Sequence, residues 1–233
     1  SDILATILNI ETSGAICSVA VSQDGMVEYQ LEDLEPMNHA KRLAPFIDKC
    51  MEEIRRRDWK LDAVAVSIGP GSYTGLRIGL SAAKGLCFGL GIPLLTVSTL
   101  EILAVKAMFR SMDWTGEEIL VPMLDARRME VYTAAYDFAL NPIIPPQPLI
   151  LDNESYSGLP GGRKVIFMGP GAEKAKGVVS VPEAQWMDGM EAHARDMTAL
   201  AEKALREGRI ADLAYSTPEY LKEFQATVPK NKF

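Results

Sequence analysis

The sequence has little histidine, little cysteine and no excess of positive charge. Only His39 and His193 occur in 233 residues, so a site built on several imidazoles is excluded. The three cysteines, Cys17, Cys50 and Cys87, stand far apart with no CxxC pair. A scattered, odd-numbered set predicts buried free thiols in a reducing compartment rather than a disulfide framework. Lys and Arg number 24 against 31 Asp and Glu, a net charge of −7, which excludes the broad basic surface of a free-standing nucleic-acid binder. The most apolar run, residues 75–97, is broken by Arg77, Lys84 and Pro93 and does not read as a membrane span. Residues 1–5 carry no basic-then-apolar leader, and the expected location is cytoplasmic. What remains is ordinary: 48% hydrophobic and 24% charged residues, in a chain long enough to bury a core unaided.

Residues 3–11, 15–22 and 26–31 read as three antiparallel strands, joined by the turn Thr12-Ser13-Gly14 and the hairpin Asp24-Gly25. Asn38 is the expected N-cap of a helix to about Arg57, with an apolar stripe at Ala40, Leu43, Ala44, Ile47, Cys50, Met51 and Ile54 and with Phe46 at its edge. A strand over 61–67, a glycine turn, a helix to about Gly91 and a strand over 93–97 follow. Ser98 or Thr99 then caps a helix to about Arg110. This order predicts an α/β domain with a mixed sheet over residues 1–110. Composition shifts over 111–118, placing a second, smaller domain at 111–233. There, 119–124 and 130–138 read as strands around the turn Asp125-Ala126-Arg127-Arg128. Residues 141–148, with four prolines, read as an irregular loop. A strand at 164–168 precedes Gly169-Pro170-Gly171 and a short helix over 172–176. A closing helix over 193–208 is expected to pack back on the first domain, and 214–233 to run extended.

Two features bear on chemistry. The turn from Gly69 to Arg77 would present backbone N–H groups at a positive helix end, which suits an anion. The same glycines equally serve a sharp strand-to-helix turn, and the segment fits neither the Walker pattern nor GxGxxG. The helix behind it is apolar almost all round: after Arg77 its one charge is Lys84, and Gly75, Gly79, Ala82, Gly85 and Gly89 alternate with large residues. Such a helix needs cover on nearly every side. A sheet covers one face. The other needs the rest of this chain or a second protein, and small residues three or four apart admit a close backbone. With the helix at 38–57, the candidate partner face comprises Leu43, Phe46, Ile47, Cys50, Gly75, Leu76, Gly79, Ala82 and Leu86. A charge at Gly79 is then expected to abolish pairing without unfolding the chain. No HxxxH pair and no GxSxG elbow occurs, so a self-sufficient catalyst is poorly supported. Glu11, beside Thr12, is the one acid where a nucleotide or metal site would be built, and Asp125 shares a hairpin turn with Arg127 and Arg128.

ILNIETS at 7–13, IGPGSYTGLRIGL at 68–80, MLDARRMEVYTAAYD at 123–137, FMGPGAEK at 167–174 and PEYLK at 218–222 together resemble the bacterial TsaB (YeaZ) family. The resemblance implies the actin/Hsp70/sugar-kinase (ASKHA, RNase H-like) fold of two related α/β domains with mixed sheets. It implies a non-catalytic role in forming N6-threonylcarbamoyladenosine (t6A) at position 37 of tRNA. The expected partner is the catalytic paralogue TsaD, paired through the first two helices and activated by the contact. TsaE, a small ATPase, joins that pair, and TsaC or a relative makes the threonylcarbamoyl-adenylate. tRNA is engaged through the complex, and family members without the paralogue can form homodimers through a similar helical surface, which leaves both homodimer and monomer open for the isolated chain. No cofactor is expected on this chain alone; ATP or ADP would belong to the complex, with Glu11, Thr12, Gly69, Gly71, Gly169 and Gly171 as the nucleotide-site candidates. Where TsaD carries a metal-binding HxxxH, this chain has Thr99 and Leu103, and Glu11 replaces the usual Asp. The competing readings are an ATP-dependent phosphotransferase or M22-type metallopeptidase of the same superfold, and direct tRNA binding by a tail made basic by Lys222, Lys230 and Lys232.

Overall fold

Each half of the chain builds a five-stranded mixed sheet, and the computed structural model describes residues 5–222. The first sheet contains β1 (Thr6–Glu11), β2 (Cys17–Gln23), β3 (Met26–Asp33), β4 (Ala63–Gly69) and β5 (Leu94–Ser98), in the order β3-β2-β1-β4-β5. β2 runs antiparallel to β1 and β3, whereas β4 and β5 run parallel to β1. β1 is buried on both sides because helices cover both faces. Leu8 and Ile10 face α1 (His39–Arg56) and α2 (Tyr73–Leu90). Ile7 faces α3 (Thr99–Arg110) and, towards the chain end, α5 (Thr198–Arg206).

The second sheet repeats this plan. β6 (Ile119–Asp125), β7 (Glu130–Tyr136), β8 (Pro142–Ile150), β9 (Val165–Met168) and β10 (Ala184–Met187) lie in the order β8-β7-β6-β9-β10. β7 is antiparallel to β6 and β8, and β9 and β10 are parallel to β6. Two copies of one strand order, each three antiparallel strands then two parallel ones, constitute the ASKHA arrangement. Gly-Pro-Gly follows the fourth strand in both copies, before α2 in the first and before the one-turn α4 (Ala172–Ala175) in the second. α3 joins the halves: Ile102 and Val105 pack into the first core, while Leu100, Leu103, Ala104 and Ala107 pack into the second.

Three local expectations are corrected. Residues 141–148 are not an irregular loop but most of β8, pairing through Ile144 with Ala135 and Gln147 with Thr133. β8 is an edge strand, where a missing N–H on the outer side breaks no ladder bond. Asn38 is the N-cap of α1 but makes no side-chain capping bond; its Nδ2 donates to Asp33 Oδ2 (2.8 Å). The closing helix opens as a tight 3-10 turn at Ala194–Met197, and α5 proper starts at Thr198. Asp196 accepts there from both His193 N (2.9 Å) and Lys106 Nζ (2.9 Å), which tightens the first turn. β10 has no counterpart in the sequence reading. The expected extended tail lies outside the described residues from 223 onward. No helix among the described residues is long and apolar enough to cross a membrane.

Candidate functional site

The turn after β1 lies beneath the first turns of α1 and α2. Glu11 is fully buried, its Oε1 accepting from Ser13 N (2.6 Å) and from the Ser13 hydroxyl. Burial pushes this carboxyl up to about 7, against the lowering effect of the Ser13 bonds. Its Oε2 has no partner among the described residues. Thr12 turns away from any ligand: its hydroxyl donates to Gly75 O (2.7 Å), inside the first turns of α2. Ser13 O accepts from Ser72 N (2.7 Å), and His39 Nε2 donates to Gly14 O (2.7 Å).

The glycines fit around this turn rather than around open space. A Cβ on Gly71 would stand 2.4 Å from Ser13 O, and one on Gly69 2.6 Å from Glu219 O. In the second half, a Cβ on Gly169 would stand 2.3 Å from Met123 O, and one on Gly171 3.0 Å from Leu124 O. The two Gly-Pro-Gly turns are thus packing devices, each letting the fourth strand of a sheet turn closely against the first. Asp125 is held by Lys174, whose Nζ lies 2.5 Å from Asp125 Oδ1 and 2.7 Å from Arg128 O. Between the halves lies a cleft of about 370 Å³, lined by Pro70, Gly71, Tyr73, Arg127, Tyr132 and residues 219–222. Pro218–Lys222 crosses it: Glu219 N donates to Ile68 O (2.7 Å), Tyr220 stacks on Tyr73 at 5.0 Å, and Lys222 Nζ reaches Glu130 Oε2 at 2.5 Å.

The remaining reactive groups are held structurally. Burial pushes the thiols of Cys17, Cys50 and Cys87 up to about 11, 12 and 11, so they stay protonated and unreactive near neutral pH. His193 Nδ1 donates to Glu32 Oε2 (2.7 Å), tying the 3-10 turn to β3, and burial keeps its pKa below the usual value. Thr99 and Leu103 are both fully buried in α3. No group of three or more His, Cys, Asp or Glu suited to a metal ion occurs among the described residues.

The open surface is the outer side of α2. Phe88 is 83% exposed and Leu90 50%, while Ile78, Ala82, Leu86 and, on α1, Phe46 are half-buried. At Gly85 and Gly89, apart from the adjoining residues and the helix's own backbone, no heavy atom among the described residues lies within 4 Å of where a Cβ would stand. Lys84, on the flank, is drawn to Ser216 O.

This placement corrects the candidate partner face. Leu43, Ile47, Cys50 and Leu76 are at most 7% exposed and belong to this chain's own core. Gly75 and Gly79 are buried against Thr12, whose Oγ1 would stand 2.2 Å from a Gly79 Cβ. A charge at Gly79 would therefore collide with this chain's own turn before reaching any partner. The apolar repeat at three and four residues marks the side of a helix laid on its sheet, so it selected the inward residues. Phe46, Ala82 and Leu86 alone of the nine reach the surface. Gly85, Phe88 and Gly89 lie outside those nine and form the exposed part of α2; the sequence marks the two glycines only as small residues within a helix.

Fold and site define a two-domain ASKHA-fold protein with a packed first turn and an uncovered apolar helix face. A family profile described as "TsaD: tRNA N6-adenosine threonylcarbamoyltransferase" matches residues 35–230. The tRNA threonylcarbamoyladenosine biosynthesis protein TsaB of Bacillus subtilis is 33% identical over 167 residues, 70% of this chain and 70% of that protein. The Escherichia coli protein of the same name is 37% identical over 130 residues, 56% of this chain and 54% of the relative, so that alignment spans about half its length. Among solved structures, YeaZ from Pseudomonas aeruginosa superposes with a TM-score of 0.79 at 28% identity, covering 94% of this chain and 100% of that one. The chain belongs to the TsaB (YeaZ) family.

Proposed function

We propose that this chain is the non-catalytic subunit of t6A formation on tRNA, pairing with TsaD and holding it active through the exposed sides of α1 and α2. The names of its relatives support the pathway. One observation carries the pairing: α2 exposes Gly85, Phe88 and Gly89, with open space at both glycines, beside the half-buried Ala82 and Leu86. Glycine within a helix costs about 1 kcal/mol relative to alanine, and at Gly85 nothing inside the monomer requires it. A second helix backbone at close range supplies the requirement.

Catalytic silence is the reading the chemistry of the turn favours. Thr12 and Ser13 spend their donors on α2 and on Glu11, and the Gly69 slot is filled by Glu219. Thr99 and Leu103 are not metal ligands. We place ATP or ADP, TsaE and the product of TsaC with the assembled complex rather than with this chain alone, and tRNA likewise. The test is reconstitution from TsaC, TsaD, TsaE, tRNA, threonine, bicarbonate and ATP. Modified adenosine is expected only when this chain is present; equal modification without it would refute the role.

A further inference from the structure

The face offered by α1 and α2 is only as defined as the registration of the two helices, and both first turns are pinned to the same three residues, Thr12, Ser13 and Gly14. On α2, the Thr12 hydroxyl inserts between Gly75 and Gly79. It donates to Gly75 O at 2.7 Å and fills the space a Gly79 side chain would take. The Thr12 carbonyl fills the matching space at Gly75, 2.2 Å from the position of a Cβ. Ser13 O takes the N–H of Ser72, the N-cap of α2. On α1, the N-cap Asn38 makes no side-chain capping bond and no acidic residue sits in the first turn. His39, 3% exposed, instead ties that turn to Gly14 O at 2.7 Å. His39 and Gly75 also meet: a Gly75 Cβ would stand 2.9 Å from His39 Cδ2.

We infer that Thr12 and His39 are positioning residues, which register the first turns of α1 and α2 on the turn after β1 and so set the geometry of the partner face. This rests on the pairing with TsaD proposed above. The turn that could have held a ligand is committed instead to orienting two helices. Thr12 needs both its hydroxyl and a small footprint, and Gly75 and Gly79 are the residues that make room for it. The backbone of Gly14 needs only to present its carbonyl to His39.

The test uses the full chain with spin labels on Lys49→Cys and Ser81→Cys, both exposed positions, the three native thiols being buried. Distance distributions between the labels are compared for the unaltered turn, Thr12→Val and Thr12→Ser, and TsaD affinity is titrated for the unlabelled chains well below their unfolding temperatures. Thr12→Val, which keeps the shape and loses the donor, is expected to broaden the distribution and weaken TsaD binding about tenfold. Thr12→Ser restores both, and His39→Leu follows Thr12→Val. An unchanged distribution in Thr12→Val, or a Thr12→Ser as impaired as Thr12→Val, overturns the inference. A broadened Thr12→Val in a chain that never binds TsaD leaves the registration standing and removes the partner reading instead.

Discussion

At the scale of single residues, Glu11 shows how a ligand-site acid becomes a structural one. Its carboxyl ends β1 where the sequence reading placed it, but Ser13 and Ser67 enclose it, and Ser67 is 56 residues away in the chain. Periodicity locates the strand end and cannot supply that enclosure. The physical consequence is measurable. Burial raises the folded-state pKa from 4.5 to about 7, so between those values the folded chain holds a proton that the unfolded chain has released. Stability attributable to Glu11 therefore falls as pH rises through this interval, by on the order of 3 kcal/mol in total. Glu11→Gln removes that dependence. Urea unfolding at pH 4.5 and pH 8 should show the variant gaining on the parent by up to about 3 kcal/mol over the range. His193, whose depressed pKa acts in the opposite direction, is common to both chains and cancels. A constant difference between them would show that Glu11 titrates normally in the fold.

At the scale of elements, the apolar pattern gave α1, α2 and their boundaries closely, and Gly91 closes α2 in the left-handed conformation expected of a C-terminal glycine. Its candidate partner face fell largely on the core, because Leu43, Ile47 and Cys50 repeat at the spacing of a core stripe and pack as one. Gly75 and Gly79 were legible as small residues, but their neighbour, Thr12, is distant in sequence. The prolines of β8 misled for another reason: composition does not reveal that a strand is at an edge. At one position of α2, stability and pairing should respond in opposite directions. Gly85→Ala should raise the unfolding free energy of the isolated chain by roughly 0.5–1 kcal/mol, read by urea titration. The same methyl group should weaken pairing with TsaD, read by calorimetry, because it sits where a neighbouring backbone must approach. A stabilised Gly85→Ala chain with unaltered affinity would place the contact elsewhere.

At the scale of the whole molecule, the repeated strand order and the two Gly-Pro-Gly turns describe one unit used twice, with α3 packed into both cores. The segment Pro218–Lys222, seen in the sequence only as a block of family likeness, bridges the halves through Tyr220 on Tyr73 and Lys222 on Glu130. Reversing the charge in Lys222→Glu should speed amide hydrogen exchange over residues 126–132, and the swapped pair Lys222→Glu with Glu130→Lys should return it towards the parent rate. Exchange unaffected by either change would mean that this ion pair does not hold the halves together. The exposed pair contributes at most about 1 kcal/mol, so the effect is local and the chain stays folded.

In the proposed complex the uncovered side of α2 seats the catalytic paralogue. Light scattering on mixtures of TsaD with the parent chain and with Gly85→Glu, a variant whose new carboxylate points into space that is open in the monomer, measures it most directly. A one-to-one complex is expected with the parent and two separate, folded proteins with the variant; a variant that pairs as tightly as the parent would rule out this face.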